Sequence, residues 1–282
     1  MNIEQYINMF LPLLKGISRG KCAISLTGAH AKGLADDISD IDFHVFIDEP
    51  KSQDEIIEIF REVADEGTLY VPEDYNHPCY GGTISFYYKG NEVGIITQYY
   101  SFINKRIEEC LEGKFEIIPQ LWTTNGFFTY VGLSEIHYMK PLYDPDGFVA
   151  GLKAKTNPYP EKLRSAIIDH FRWRAGTWPD NFHYDTAIKR ADIFYTSPIV
   201  IHTLLDMVQI IFAINRVYFC GDKKYVKQLS VMDYCPAALL DNLTFLLTAS
   251  TNVDDLRKQR EILFEIRDDI ESRILSEKVG NP

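Results

Sequence analysis

The chain has 282 residues, 46% of them hydrophobic and 24% charged, with 29 Lys and Arg against 40 Asp and Glu for a formal net charge of −11. That length supplies ample core for one large domain or two ordinary ones, and the composition excludes a disordered or fibrous protein. The acidic excess repels polyanions on average, so nucleic acid is not the expected partner and a cationic small molecule suits the surface better.

In chain order, Ile3, Tyr6, Ile7, Phe10, Leu13, Leu14 and Ile17 recur at helical spacing and predict an amphipathic helix over 3–17. Cys22 to Thr27 is a short apolar run that reads as a strand ending at Gly28. Ile41 to Ile47 predicts a second strand, with Ile41, Phe43, Val45 and Ile47 alternating against Asp42, His44 and Phe46. Ser52-Gln53-Asp54-Glu55 is a capping box opening a helix with core face Ile56, Phe60 and Val63, and Gly67 is its expected stop. Residues 83–88 and 92–98 predict two antiparallel strands joined across the Gly90-Asn91 turn. A helix follows to about Gly113, then a strand over 136–143 closed by the turn Asp144-Pro145-Asp146-Gly147.

From about residue 151 the pattern is helical, over 159–176, 184–196, 198–219, 236–249 and 253–276. Ser197-Pro198 reads as an N-cap followed by Pro at the first helical position. The fold class expected is α+β: a domain over 1–150 with a small mixed sheet flanked by helices, then a helical bundle domain over 151–282. Pro198 to Phe219 is the most apolar stretch, but His202, Asp206, Gln209, Asn215 and Arg216 suit it to a protein interior rather than a membrane. Cys22, Cys79, Cys110, Cys220 and Cys235 form no CxxC pair, so thiols in a reducing cytosol are expected rather than a zinc ribbon or disulfide framework. The first residues lack the basic start and apolar run of a signal peptide. A soluble, cytoplasmic protein is expected, with monomer and dimer both open.

Residues 26–48 carry the chemistry. Gly28 ends a strand and lets backbone approach a ligand closely, and free N–H groups after it favour phosphate. Asp40 and Asp42 stand two apart at the start of a strand, so both carboxylates project to one side. Two carboxylates beside a phosphate-binding turn can hold Mg2+ while it bridges triphosphate oxygens. His44 shares their parity; a structural histidine is the plainer reading of it. Trp122, Trp173 and Trp178 suit a substrate cleft and core packing equally.

On these residues, the segment Leu26 to Asp48 resembles the signature of the nucleotidyltransferase (DNA polymerase β-like) superfamily, in which Gly-Ser is followed by Asp-x-Asp. It is most similar to the aminoglycoside and lincosamide nucleotidyltransferase branch. Looser similarity continues through Tyr143-Asp144-Pro145-Asp146-Gly147, Tyr159-Pro160, Phe212 to Arg216 and Gly221-Asp222-Lys223-Lys224. The resemblance implies transfer of a nucleoside monophosphate, AMP first among candidates, from ATP or another NTP to a hydroxyl of a small molecule, with pyrophosphate released. It implies Asp40 and Asp42 as Mg2+ ligands and catalytic residues. Glu92 would be the third carboxylate, as base or further ligand. Gly28, Ala29, Lys32, Lys223 and Lys224 would contact the nucleotide.

Two departures bear on activity. Ala29 replaces the motif Ser and forgoes one hydroxyl hydrogen bond to phosphate, worth roughly 1 kcal/mol. Gly94 stands where relatives carry Asp, leaving Glu92 as the acidic residue on that face. A catalytically weak nucleotide-binding module of the same fold is therefore the alternative, with nucleotidylation of a partner protein ranked third.

Overall fold

A computed structural model of the chain describes residues 2–279; the last three residues of the expected second domain lie outside it. The protein is α+β, with a mixed five-stranded sheet flanked by helices and a helical C-terminal region. It divides into two compact units. One takes the chain to Leu111 with Phe115–Ile118 and Phe127–Pro158; the other takes Glu112–Lys114, Pro119–Gly126 and the chain from Tyr159 on.

The first unit runs α1 (Ile3–Lys15), β1 (Cys22–Leu26), α2 (Gly28–Lys32), β2 (Ile41–Ile47), α3 (Gln53–Phe60), β3 (Gly82–Tyr88), β4 (Asn91–Tyr99), α4 (Tyr100–Leu111), β5 (Ile117–Ile118), β6 (Phe127–Phe128), α5 (Val131–Tyr138), β7 (Lys140–Tyr143) and α6 (Phe148–Lys155). The sheet order is β3-β4-β2-β1-β7, and β5 and β6 form a separate pair. β2 and β4 are parallel, while β1–β2, β1–β7 and β3–β4 are antiparallel. Ser52 caps α3 through the expected box, its hydroxyl accepting from Glu55 N–H while the Glu55 side chain accepts from Ser52 N–H.

Strand alternation gives this sheet two unlike faces. Ile24, Leu26, Phe43, Val45, Ile84, Phe86, Val93 and Ile95 lie in one apolar cluster with Tyr6, Phe10 and Leu14 of α1 and Ile56 and Phe60 of α3. Phe10 is fully buried there and meets the rings of Phe43, Phe86 and Tyr88 edge-on at 6.1, 5.6 and 5.4 Å. Burying such a ring stabilises the unit by about 2–3 kcal/mol. The opposite face is polar: Ser25 pairs with His44, Asp42 with Gly94, and Gly94 with Ser85.

The second unit contains α7 (Glu161–Thr177), α8 (Phe182–Lys189), α9 (Ile193–Ile214), α10 (Tyr225–Leu229), α11 (Ala237–Asp241), α12 (Leu243–Leu247) and α13 (Val253–Val279). α9 packs against α7, α8, α12 and α13. By length and composition α9 could cross a membrane, but 72% of its most apolar window is buried by its neighbours, as in the core helix of a soluble protein.

The structure corrects the sequence at four places. Residues 131–138 are helical and only 140–143 form a strand, because Val, Ile and Tyr fit both helix and strand in so short a run. The expected break at Ser197-Pro198 does not occur: α9 starts at Ile193, capped by Asp192, whose side chain accepts from Tyr195 N–H, and Pro198 lies inside it. The carbonyl deprived of a donor there belongs to Phe194, which is 92% exposed and so open to water. α9 also ends at Ile214 rather than 219, where the Asn215 amide donates to Tyr234 O at 2.7 Å and Arg216 takes a left-handed backbone. The single helix expected over 236–249 is two short ones meeting at Asn242.

Pro198 is exposed and its ring serves no core contact, so Pro198→Ala regains one helical hydrogen bond. It is expected to raise unfolding free energy by about 1–3 kcal/mol, measured by urea denaturation.

Candidate functional site

Asp42 lies on the polar face of β2, and its carboxylate is held between two glycine backbones. Gly28 follows β1 after Thr27 and has φ +61, and Thr27 ties this strand end to β2, its N–H donating to Asp42 O at 2.9 Å. A Cβ at Gly28 would sit 1.9 Å from Asp42 Oδ2, and one at Gly94 would sit 2.9 Å from Oδ1. Position 28 therefore requires glycine twice over, for its positive φ and for the carboxylate beside it.

Asp40 immediately precedes β2 and is half-buried. Glu92 lies two residues before Gly94 on β4, is exposed, and pairs with Tyr87 beside the hairpin turn. Among the described residues no group of three or more His, Cys, Asp and Glu is placed to hold a metal ion. The structure thus joins Asp42 with Gly28 and Gly94 and does not bring Glu92 into a three-carboxylate cluster with Asp40 and Asp42. Ala29 lies in α2, its carbonyl accepting from Leu34 N–H at 3.0 Å.

Lys32, the expected phosphate contact, is ion-paired within the protein to Glu135 of α5, with side chains only 8% and 18% exposed. Lys223 and Lys224 belong to the second unit, in the turn before α10. Lys224 has φ +63, and Lys223 O accepts from the Gln228 amide at 3.1 Å. Their neighbour Asp222 accepts from Thr124 N–H at 3.0 Å and from the Tyr225 hydroxyl at 3.1 Å.

The residue that sequence reasoning missed is Glu135. One carboxylate oxygen pairs with Lys32, and the other accepts from the Thr27 hydroxyl. Burial pushes this carboxyl up, but Lys32, the Thr27 hydroxyl and His44 together outweigh that and hold it below the usual range. The signal available was a single Glu between Leu133 and Ile136, both buried in α5; reading 136–143 as strand concealed it. His44 is 3% exposed, stacks on Phe46 at 4.3 Å, and donates through Nε2 to Gln98 Oε1 at 3.0 Å. Its Nδ1 and the cross-strand Ser25 Oγ are both buried without a hydrogen-bond partner in the structure. Burial lowers the imidazole pKa to about 4 against the opposing pull of Glu135 and the Gln98 bond, so the ring is neutral.

A protein family described as a domain of unknown function (DUF4037) matches residues 130–224, from the start of α5 to the turn before α10. No curated protein matches the sequence. Among solved structures, the crystal structure of a nucleotidyltransferase-like protein from Exiguobacterium sibiricum 255-15 is similar over 98% of this chain and 77% of its own, at 11% identity and a TM-score of 0.44.

Gly28→Ala forces a side chain into the Asp42 carboxylate at a left-handed backbone position. It is expected to cost at least about 2 kcal/mol in chemical denaturation, and a variant as stable as the parent would mean that Asp42 lies elsewhere. His44 is neutral when folded down to about pH 4 but takes a proton below about 6.5 when unfolded. The unfolded chain therefore binds the extra proton in this window, and stability falls as pH drops from about 6.5 to about 4, by ~3 kcal/mol in all. His44→Gln, which keeps a donor for Gln98, is expected to flatten that slope in urea titrations across the same range.

Proposed function

We propose that this protein is an Mg2+-dependent nucleotidyltransferase that moves AMP from ATP to a hydroxyl of a small molecule and releases pyrophosphate. The observation that carries this reading is the Asp42 carboxylate, held between Gly28 and Gly94 at the end of the polar sheet face. Mg2+ is ordinarily held by one or two carboxylates together with substrate phosphates, not by an all-protein cage, and Asp42 with Asp40 two residues before it suits that donor set. When bound there, Mg2+ would supply charge neutralisation along the triphosphate.

The chain's own part is positional. Gly28 leaves the β1–α2 turn without a side chain, so backbone can approach the nucleotide. The acceptor oxygen bonds to the α-phosphorus as the bond to pyrophosphate breaks. In this reading Glu92 takes the hydroxyl proton, and Lys223 and Lys224 contact the nucleotide. The net charge of −11 favours a cationic acceptor, an aminoglycoside-like or lincosamide-like antibiotic being the class that fits. Nucleic acid and membrane are not partners in this reading. Five cysteines outside any disulfide accord with a reducing, cytoplasmic setting.

A second reading, a nucleotide-binding module with weak transfer, is favoured by the Lys32–Glu135 ion pair, which already satisfies the lysine expected on phosphate. Pyrophosphate release with each NTP, Mg2+ and a panel of hydroxylated antibiotics separates the two. Transfer is expected on at least one acceptor, with Asp42→Asn lowering it by about 100-fold or more. Nucleotide binding without turnover on any acceptor would favour the module, and binding indifferent to Asp42→Asn would overturn both readings.

A further inference from the structure

Five elements of the first unit meet in one polar wedge on the sheet face that carries Asp42. Thr27 comes from the link just after β1, Lys32 from α2, His44 from β2, Gln98 from β4 and Glu135 from α5. Glu135 is its hub, with both carboxylate oxygens engaged and the side chain only 18% exposed. Its two partners flank the Gly28-Ala29 turn, Thr27 immediately before and Lys32 at the end of the short helix after it. Thr27 is 1% exposed, and its N–H also donates to the backbone of Asp42 at 2.9 Å. The turn against which the Asp42 carboxylate rests is thus clamped at both ends by one residue of another helix.

We propose that Glu135 is a positioning residue for the Asp42 site: by taking the Thr27 hydroxyl on one oxygen and Lys32 on the other, it fixes the β1–α2 turn and with it the place of the Asp42 carboxylate. It touches no reacting atom and acts through Thr27 and Gly28. Outer partners of this kind set the orientation of the groups that hold a metal, and losing one typically weakens metal affinity 10–100-fold. The proposal rests on the reading of Asp42 as a metal and nucleotide site, but the clamp itself exists without ligand.

The discriminating variant is Thr27→Val, which preserves shape and leaves the Lys32–Glu135 pair in place while removing one hydrogen bond. Mn2+ binding in the presence of ATP is followed by electron paramagnetic resonance, and the amide resonances of Gly28, Ala29 and Asp42 by NMR on the full chain without ligand. Thr27→Val and Glu135→Gln are each expected to weaken Mn2+ binding about tenfold and to shift those three amides, with α13 resonances unmoved. Thr27→Ser, which restores the hydroxyl, is expected to restore both readouts. Variants that melt earlier yet keep parental Mn2+ affinity and parental amide shifts would overturn the proposal, leaving Glu135 a stabilising residue only. If the parent shows no Asp42-dependent Mn2+ binding, the functional reading fails, and the amide shifts alone then decide the clamp: moved by Thr27→Val and rescued by Thr27→Ser, it stands; unmoved, it falls.

Discussion

A carboxylate placed on the face of a sheet must find either water or a set of polar partners, and the first unit is arranged around that requirement at Asp42. One face of the sheet is closed by α1 and α3 over a largely apolar cluster. The other carries Ser25, Thr27, Asp42, His44 and Gln98 beside the buried Phe46, polar groups that each need a partner or water. The parallel pairing of β2 with β4 brings Gly94 beside Asp42, and the antiparallel pairing with β1 brings Gly28 to its other side. The absence of side chains at both positions is what lets the charge sit there, and the β1–α2 turn takes its left-handed entry from the same glycine.

Behind that carboxylate the protein keeps a second, paired charge. Ion pairs this far from water seldom add to stability, since desolvation of both groups roughly cancels their attraction, and their use lies in selecting one geometry over others. A Leu–Met pair in place of Lys32 and Glu135 would hold α2 and α5 together as well, but it could not aim a hydroxyl. Glu135 needs all its partners because an unpaired carboxylate at that depth would be far more costly than none. His44, neutral and stacked on Phe46, fills the wedge without bringing another charge into it.

Much of this was legible in the residues. The alternation from Ile41 to Ile47 and the Ser52 capping box each have one physical solution, and the structure contains them; the hairpin after Tyr88 is there too, but it turns at Lys89-Gly90, both at positive φ, with Asn91 already paired in β4. Gly28 and Asp42 were legible as a pair because a strand-ending glycine followed by an acidic strand is a specific order, although the sequence could not say that the carboxylate would rest on the glycine itself. Glu135 was hidden by the ambiguity of a short apolar run, and its partnership with Thr27 depends on tertiary contact between residues 108 apart. Lys32 illustrates the converse: a lysine beside a phosphate-type turn reads as a ligand contact until the fold supplies a carboxylate for it. At Pro198 local propensity was outvoted by burial along α9.

The closing of the sheet by β7 has a consequence for how the molecule is made. β1 and β2 are synthesised early and lie close in sequence, so they can pair as soon as both have left the ribosome. The partner of Lys32 lies 103 residues further along, just ahead of the strand that completes the β1 edge. Until that stretch arrives, β1 has an open edge, and the lysine remains in water. Loop closure over such a distance is slow compared with hairpin formation, so docking of α5 and β7 belongs late in assembly. An interrupted or truncated chain would thus hold a sheet bordered by the apolar strand β1 rather than by β7, the kind of intermediate that self-associates.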